Sequence, residues 1–299
     1  MKKALFFIPL IVFALASVTS CEKKTKKKEN TIPTVVVSIP PYISIVKAIA
    51  GDAFIIRSAI PVGYNPHTSE ITIKQIKALE NADLFIGIGE PFERKMIKAM
   101  EGTRKKFTLL ELNKKLPLLP LSQDAHSKGC CQSHTSSKEA LDHHFWLSPH
   151  LLKLQAALIS NALTELIPEK KALFSKNLAL YLNKLDALNL TIATLLAPVQ
   201  GKAILTSHAA LGYFCHDYHL IQLTVESEGK SPLPQSVNHV IEEAKRIGTE
   251  CAFTFPGHDN KGTLLIADKL NLKVYEIDPL AENVLKTIET IATDIIETP

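Results

Sequence analysis

Residues 168–196 read PEKKALFSKNLALYLNKLDALNLTIATLL, and this stretch decides the fold. Pro168 suits the first helical position, where its missing N–H costs nothing. Leu173, Leu180, Leu185, Leu188, Ile192 and Leu195 then recur at helix-like intervals. Pro198 and Gly201 end the run. At the rise of an α-helix it spans roughly 40 Å, longer than one small domain needs. It reads as a rigid rod joining two lobes, and the alternative is two helices broken near Asn189.

On both sides of the rod the chain alternates. Before it, strands are expected at 34–39 (TVVVSI), 54–60 (FIIRSAI), 84–89 (LFIGIG) and 107–112, with helices at 42–50, 72–80, 92–100 and 149–167. After it, strands are expected at 202–206 (KAILT), 220–225, 251–255 (CAFTF) and 273–277 (KVYEI). Helices fall between these strands at 209–218, 236–247 and 263–270, and one closes the chain at 282–296. Strand–helix order of this kind implies an α/β fold with parallel-type sheets covered by helices on both faces. A chain of 299 residues has room for two such lobes.

The N-terminus is a targeting signal. Lys2 and Lys3 form its charged region, and 4–18 an apolar core too short to span a bilayer comfortably. Val18-Thr19-Ser20-Cys21 then resembles a bacterial lipobox, which implies lipid on Cys21 as the mature N-terminus. Residues 22–33 are Lys-rich and poor in apolar side chains, a composition that makes a disordered tether. The expected division is a signal peptide at 1–20, a tether at 21–33, an N-terminal lobe at 34–167, the linking helix at 168–197 and a C-terminal lobe at 198–299. The formal net charge is only +4, and several of those lysines lie in the leader and tether, so there is no basic footprint for nucleic acid. Four thiols remain for an exported protein: Cys130, Cys131, Cys215 and Cys251. A Cys215–Cys251 bridge and two separate buried thiols are both open.

Residues 124–149, DAHSKGCCQSHTSSKEALDHHFWLSP, lack apolar periodicity and are crowded with metal-ligand types. They carry His126, Cys130, Cys131, His134, His143 and His144, and the chain's only tryptophan, Trp146. Elsewhere His67, His208 and Asp278 each follow an expected strand, where open α/β sheets place ligands. With a histidine from the 142–146 segment, these three can form a tetrahedral shell for Zn²⁺. His143 and His144 are adjacent and compete for that place.

The chain from about 34 to 296 resembles the ZnuA/TroA-like metal-binding receptors of bacterial ABC importers. The matching segments are IPVGYNPHTSE at 60–70, DHHFWLSP at 142–149, TSHAALGYFCHDYHL at 206–220 and YEIDPL at 275–280. The resemblance implies His67, His144 (over His143), His208 and Asp278 as metal ligands. It also implies two α/β lobes on one backbone helix, with the metal in the cleft between them. Histidine at 208, where manganese-type members tend to carry Glu, favours Zn²⁺, with Mn²⁺ and Fe²⁺ as alternatives. The 124–143 loop occupies the place of the His-containing loop of zinc-type members. His126, His134 and His143 are candidates there for a weaker accessory site, against the alternative of a solvated insertion with no role.

Departures from the family pattern are Ser148, where Asp is usual, and FTFPGHD at 253–259, which lacks the acidic residue often found after that strand. His150, His216, His219, His239 and His258 are read as exposed or capping residues. The function expected is a monomeric, lipid-anchored extracytoplasmic receptor that delivers a transition metal to a membrane permease. Binding needs neutral imidazoles, so affinity should fall as pH drops through about 6.5. The long helix resists wide hinge motion, so release should come from local rearrangement. A zinc-dependent hydrolase and a surface adhesin are the alternatives. No HExxH motif, nucleophile elbow or evident general base supports an enzyme.

Overall fold

β-Branched and aliphatic runs form two four-stranded sheets, each parallel throughout. The computed structural model describes residues 32–61, 63–66, 71–100, 107–121, 141–225 and 234–297. The first half runs β1 (Thr34–Val37), α1 (Pro41–Ala50), β2 (Ile55–Ser58), α2 (Ile73–Glu80), β3 (Leu84–Gly87), α3 (Pro91–Met100) and β4 (Thr108–Glu111). A 3₁₀ turn (Phe145–Leu147), α4 (Pro149–Leu166) and α5 (Lys171–Leu196) follow. The second half runs β5 (Ala203–Thr206), α6 (Gly212–Tyr218), β6 (Ile221–Thr224), α7 (Pro234–Ile247), β7 (Thr249–Thr254), α8 (Lys261–Leu270), β8 (Lys273–Glu276) and α9 (Val284–Ile296).

Strand order is β2-β1-β3-β4 in the first sheet and β6-β5-β7-β8 in the second. The two orders are the same. In each sheet the chain leaves the first central strand towards one edge and the second central strand towards the other. Each therefore has a topological switch point, between β1 and β3 and between β5 and β7, where a crevice opens at the strands' C-terminal ends.

Alternation along the strands assigns side chains to faces. Val35 and Val37 enter the main core, while Val36 enters a satellite cluster with Phe85, Leu79, Phe92 and Met96 under α2 and α3. Ala203 and Leu205 likewise join Val240, Ile241 and Ile266 under α7 and α8, while Ile204 joins the main core. That main core draws on α1, α4, α5 and α9 and on both sheets. On α5 its contributors are Phe174, Tyr181, Leu185, Ile192 and Leu196, at alternating steps of seven and four. The two lobes thus share one apolar interior, which resists their separation as rigid bodies.

The linking helix differs from expectation at its start. Pro168–Lys170 forms a 3₁₀ turn, and α5 then runs unbroken past Asn189. The side chain of Asn189 accepts a hydrogen bond from the Tyr218 hydroxyl at 3.0 Å, outside the helix ladder. The helix expected at 209–218 begins only at Gly212. Before it, the Ala210 N–H is spent on the His208 carbonyl at 2.8 Å and the Leu211 N–H on the Gln222 side chain at 2.6 Å. Among the described residues no helix is long and apolar enough to cross a membrane. Cys215 and Cys251 are buried and not joined in a disulfide, and burial, with Cys251 nearby, pushes the Cys215 thiol well above its usual range.

Candidate metal centre

The His144 side chain is set by its own segment. Asp142 Oδ1 accepts from the His144 backbone N–H and from its ring Nδ1, both at 2.8 Å. Against a carboxylate Nδ1 is the donor in that bond, so in the neutral imidazole Nε2 keeps its lone pair. Asp142 is itself buried and closely surrounded: a Cβ on Gly212 would lie 2.7 Å from Oδ2. Tyr213 donates its hydroxyl to the Asp142 carbonyl and accepts the Leu119 N–H, both at 2.9 Å. Burial pushes the Tyr213 hydroxyl up to about 12, so it stays a donor.

Trp146 fixes the other side of the segment. Its ring centroid lies 5.2 Å from that of His144, and its indole N–H donates to the Pro279 carbonyl at 2.8 Å. This bond ties the His144 segment to the loop after β8, which carries Asp278. Asp278 is half-buried, and its Oδ1 accepts the Leu280 N–H at 2.9 Å. Ser148, the departure from the family pattern, caps α4 by accepting the Leu151 N–H at 3.1 Å. It also donates to Asp217 Oδ2 at 2.5 Å. A carboxylate is therefore present at this point, supplied by α6.

His208 leaves β5 at the switch point of the second sheet. Its Nε2 lies 3.3 Å from Nε2 of His144, with ring centroids 5.1 Å apart and the planes at 70°. Two nitrogens bound to one tetrahedral zinc at the usual Zn–N length stand about 3.3–3.4 Å apart. The pair therefore has the spacing of two ligands to a single ion, one of them already oriented by a carboxylate.

His67 lies outside the described residues, as do His126, His134, Cys130, Cys131 and Cys21. The loop leading to His67 is described as far as 66, and there Asn65 Nδ2 donates to the Gly257 carbonyl at 3.3 Å. The loop after β2 thus meets the loop after β7, across the cleft. His143 does not join the pair; its Nδ1 lies 3.3 Å from Oε1 of the buried Glu90. Among the described residues no three metal-ligand side chains converge on one point.

His258 corrects the sequence reading. His150, His216, His219 and His239 are exposed, and His219 ends α6 in the left-handed region at φ 58°. His258 is instead half-buried, its ring stacked on His208 with centroids 4.5 Å apart and the planes at 26°. Placement after a strand selected His208, and the same test would have selected His258 after β7. Asp142 was also missed, although Asp two residues before a histidine ligand is the signal of a carboxylate that orients it.

The model of the zinc-uptake complex component A family, periplasmic, matches residues 35–295. A proposed metal-binding protein of Chlamydia trachomatis serovar D is 29% identical over 95% of this chain and 96% of its own length. The high-affinity zinc uptake system protein ZnuA of Yersinia pestis is 28% identical over 84% of each chain. A crystal structure of ZnuA superposes with a TM-score of 0.79 at 28% identity, covering 90% of this chain and 99% of that one. This chain belongs to the zinc-uptake complex component A family.

Proposed function

We propose that this metal-binding receptor of an ABC importer carries zinc, held by His67, His144, His208 and Asp278. The observation that carries the reading is the 3.3 Å separation of the His144 and His208 Nε2 atoms, with Asp142 bonded behind His144. Two imidazoles at that spacing suit Zn²⁺, whereas Mn²⁺ sites draw more on oxygen; Fe²⁺ also accepts imidazole and is the competitor to test. His67 would come from the loop that Asn65 ties to the second lobe, and Asp278 from the loop that Trp146 ties to His144.

The ion is cargo. Asp142 keeps the His144 lone pair pointed at it, and His208 must present an unprotonated Nε2, so capture releases a proton wherever that nitrogen begins protonated. The shared core around α5 holds the lobes together, so release to the permease would come from movement of the ligand loops. Lipid on Cys21 would keep the monomeric receptor, lobes at 34–167 and 198–299 on a linker at 168–197, beside the permease. The protein performs no catalysis in this reading; His126, His134 and His143 would form a weaker collecting site.

The test is to purify the chain from Glu22 onward, load it with Zn²⁺, Mn²⁺ or Fe²⁺ in competition, and count bound ions by elemental analysis. Zinc should displace the others, and a His67→Ala/His208→Ala variant should lose the tight ion. Full stoichiometry in that variant would sink the ligand assignment. Deleting 125–139 should remove only weak binding.

A further inference from the structure

Helix α6 opens on Gly212, although alanine is the better helix former. The backbone there is outside the left-handed region, so no dihedral angle calls for glycine. We propose that Gly212 is a positioning residue for the zinc site: the side chain it lacks makes room for the Asp142 carboxylate that holds the His144 ring. This rests on His144 being a zinc ligand.

Among the described residues beyond its own chain neighbours and helix backbone, a Cβ on Gly212 would meet Asp142 alone, at 2.7 Å from Oδ2 and 3.9 Å from the carboxyl carbon. Neither backbone is placed to back away. The Asp142 N–H donates to the Leu119 carbonyl, and the Asp142 carbonyl accepts the Tyr213 hydroxyl, both at 2.9 Å. On the other side, the Gln222 side chain holds the Leu211 N–H at 2.6 Å. The buried Tyr213 ring meets that of Phe145 edge-on at 6.4 Å. The part that can yield is the carboxylate itself. Turning it takes Oδ1 away from the His144 backbone N–H and ring Nδ1, each now at 2.8 Å.

A methyl group at 212 thus reaches His144 through one intervening side chain. With its carboxylate turned aside, the His144 ring is free to rotate or to move its proton to Nε2, the nitrogen that faces His208 at 3.3 Å. Gly212 also follows His208 by four residues. One short stretch of the second lobe therefore carries one ligand and shapes the seat of the carboxylate that orients the other.

The experiment is a double-mutant cycle on zinc affinity, read by chelator competition in the parent, Gly212→Ala, Asp142→Ala and Gly212→Ala/Asp142→Ala. Gly212→Ala should weaken binding roughly tenfold. In the Asp142→Ala background the added methyl has no carboxylate to strike, so the same substitution should change affinity by less than about twofold. Bound Co²⁺ gives a second readout, since its visible absorption reports ligand geometry. That absorption should change on Gly212→Ala in the parent and hold in the Asp142→Ala background. A glycine needed only for folding would lower the unfolding temperature and leave both readouts unmoved. Parent-like zinc affinity in Gly212→Ala, or an equal loss in both backgrounds, would overturn the proposal. If Gly212→Ala fails to fold, the double variant should fold, because the clash is gone; its failure would overturn the proposal too. A parent that binds no zinc would overturn the zinc reading as well, whereas parent-like affinity in Gly212→Ala would overturn only the role of Gly212.

Discussion

The two sheets have the same strand order, yet their switch points are put to opposite uses. Between β1 and β3, α3 turns Glu93 inward. Its Oε1 accepts from the Ser38 hydroxyl at 2.5 Å and the Ile88 N–H at 2.9 Å, and its Oε2 from the Gly89 N–H at 2.9 Å. A Cβ on Gly87 would come within 2.7 Å of that oxygen, so the crevice is closely filled. Between β5 and β7 the strands end instead in His208 and His258. Parallel sheets create the crevice automatically. The chain seals one with its own carboxylate and leaves the other to imidazoles.

The harshest way to break this contrast is to unseal the first crevice. Glu93→Ala would strand three donors in a buried site, at about 1–3 kcal/mol each, so a loss of about 4 kcal/mol is expected in chemical denaturation. Zinc stoichiometry of the folded fraction should not change. A loss below about 1 kcal/mol would mean that solvent, not Glu93, fills the crevice.

The same carboxyl gives a pH signature. Burial, the largest cause, raises the Glu93 pKa, against hydrogen bonds from Ser38, Ile88 and Gly89 that lower it. A raised folded pKa favours the protonated form. Its contribution is complete below the unfolded value and is lost as pH rises through the folded one. Glu93→Gln cannot titrate, so the parent should lose stability relative to it across that window. A parent that gained instead would reverse the sign of the burial effect.

At the candidate metal centre the comparable test is Asp142→Ala. It removes the acceptor of the His144 Nδ1 proton and backbone N–H, and frees the ring to turn or change tautomer. Affinity should fall about 10–100-fold in a chelator competition, with global stability less affected. Unchanged affinity would show that Trp146 and the backbone alone hold His144.

Much of this arrangement was legible in the sequence. Parallel strands buried on both faces read as uninterrupted β-branched runs, and TVVVSI and KAILT gave themselves away. The motif around 142–146 and the histidine after KAILT marked two residues that do meet. His258 was passed over because FTFPGHD was read only for the acidic residue it lacks, and the sequence around a turn does not say where the next side chain points. The sealing role of Glu93 was invisible for a different reason. A glutamate in the first turn of an amphipathic helix has the pattern of a solvated residue. Only the register of α3 against β1 and β3 turns it inward. The start of α6 was missed because the His208 carbonyl, two residues back, and the Gln222 side chain claim the amides of Ala210 and Leu211.

Ser148 sharpens the comparison on a smaller scale. The family resemblance implies Asp there, and here Asp217 already supplies a carboxylate to the Ser148 hydroxyl. Ser148→Ala should cost about 1–2 kcal/mol through the lost cap and the bond to Asp217. Ser148→Asp should do no better, since it sets two carboxylates against each other in a largely buried site. Ser148→Asp/Asp217→Asn should recover stability, and its failure to do so in thermal unfolding would mean that Ser148 acts only as a cap.

The smallest expected effect lies where the lobes touch. In Gly257→Ala the added methyl would sit 3.6 Å from Asn65 Cβ and 3.9 Å from the Gly63 carbonyl, ordinary contacts, so crowding is not the penalty. The penalty is backbone strain at φ 78°, about 1 kcal/mol for an L-residue. Asn visits this region more readily, so Gly257→Asn should cost less than Ala in thermal unfolding. That order, Gly above Asn above Ala, is the signature of a position chosen for its dihedral angle. An Ala variant as stable as the parent would mean that the turn can relax. His258 would then owe its place to the stack on His208 rather than to the loop beneath it.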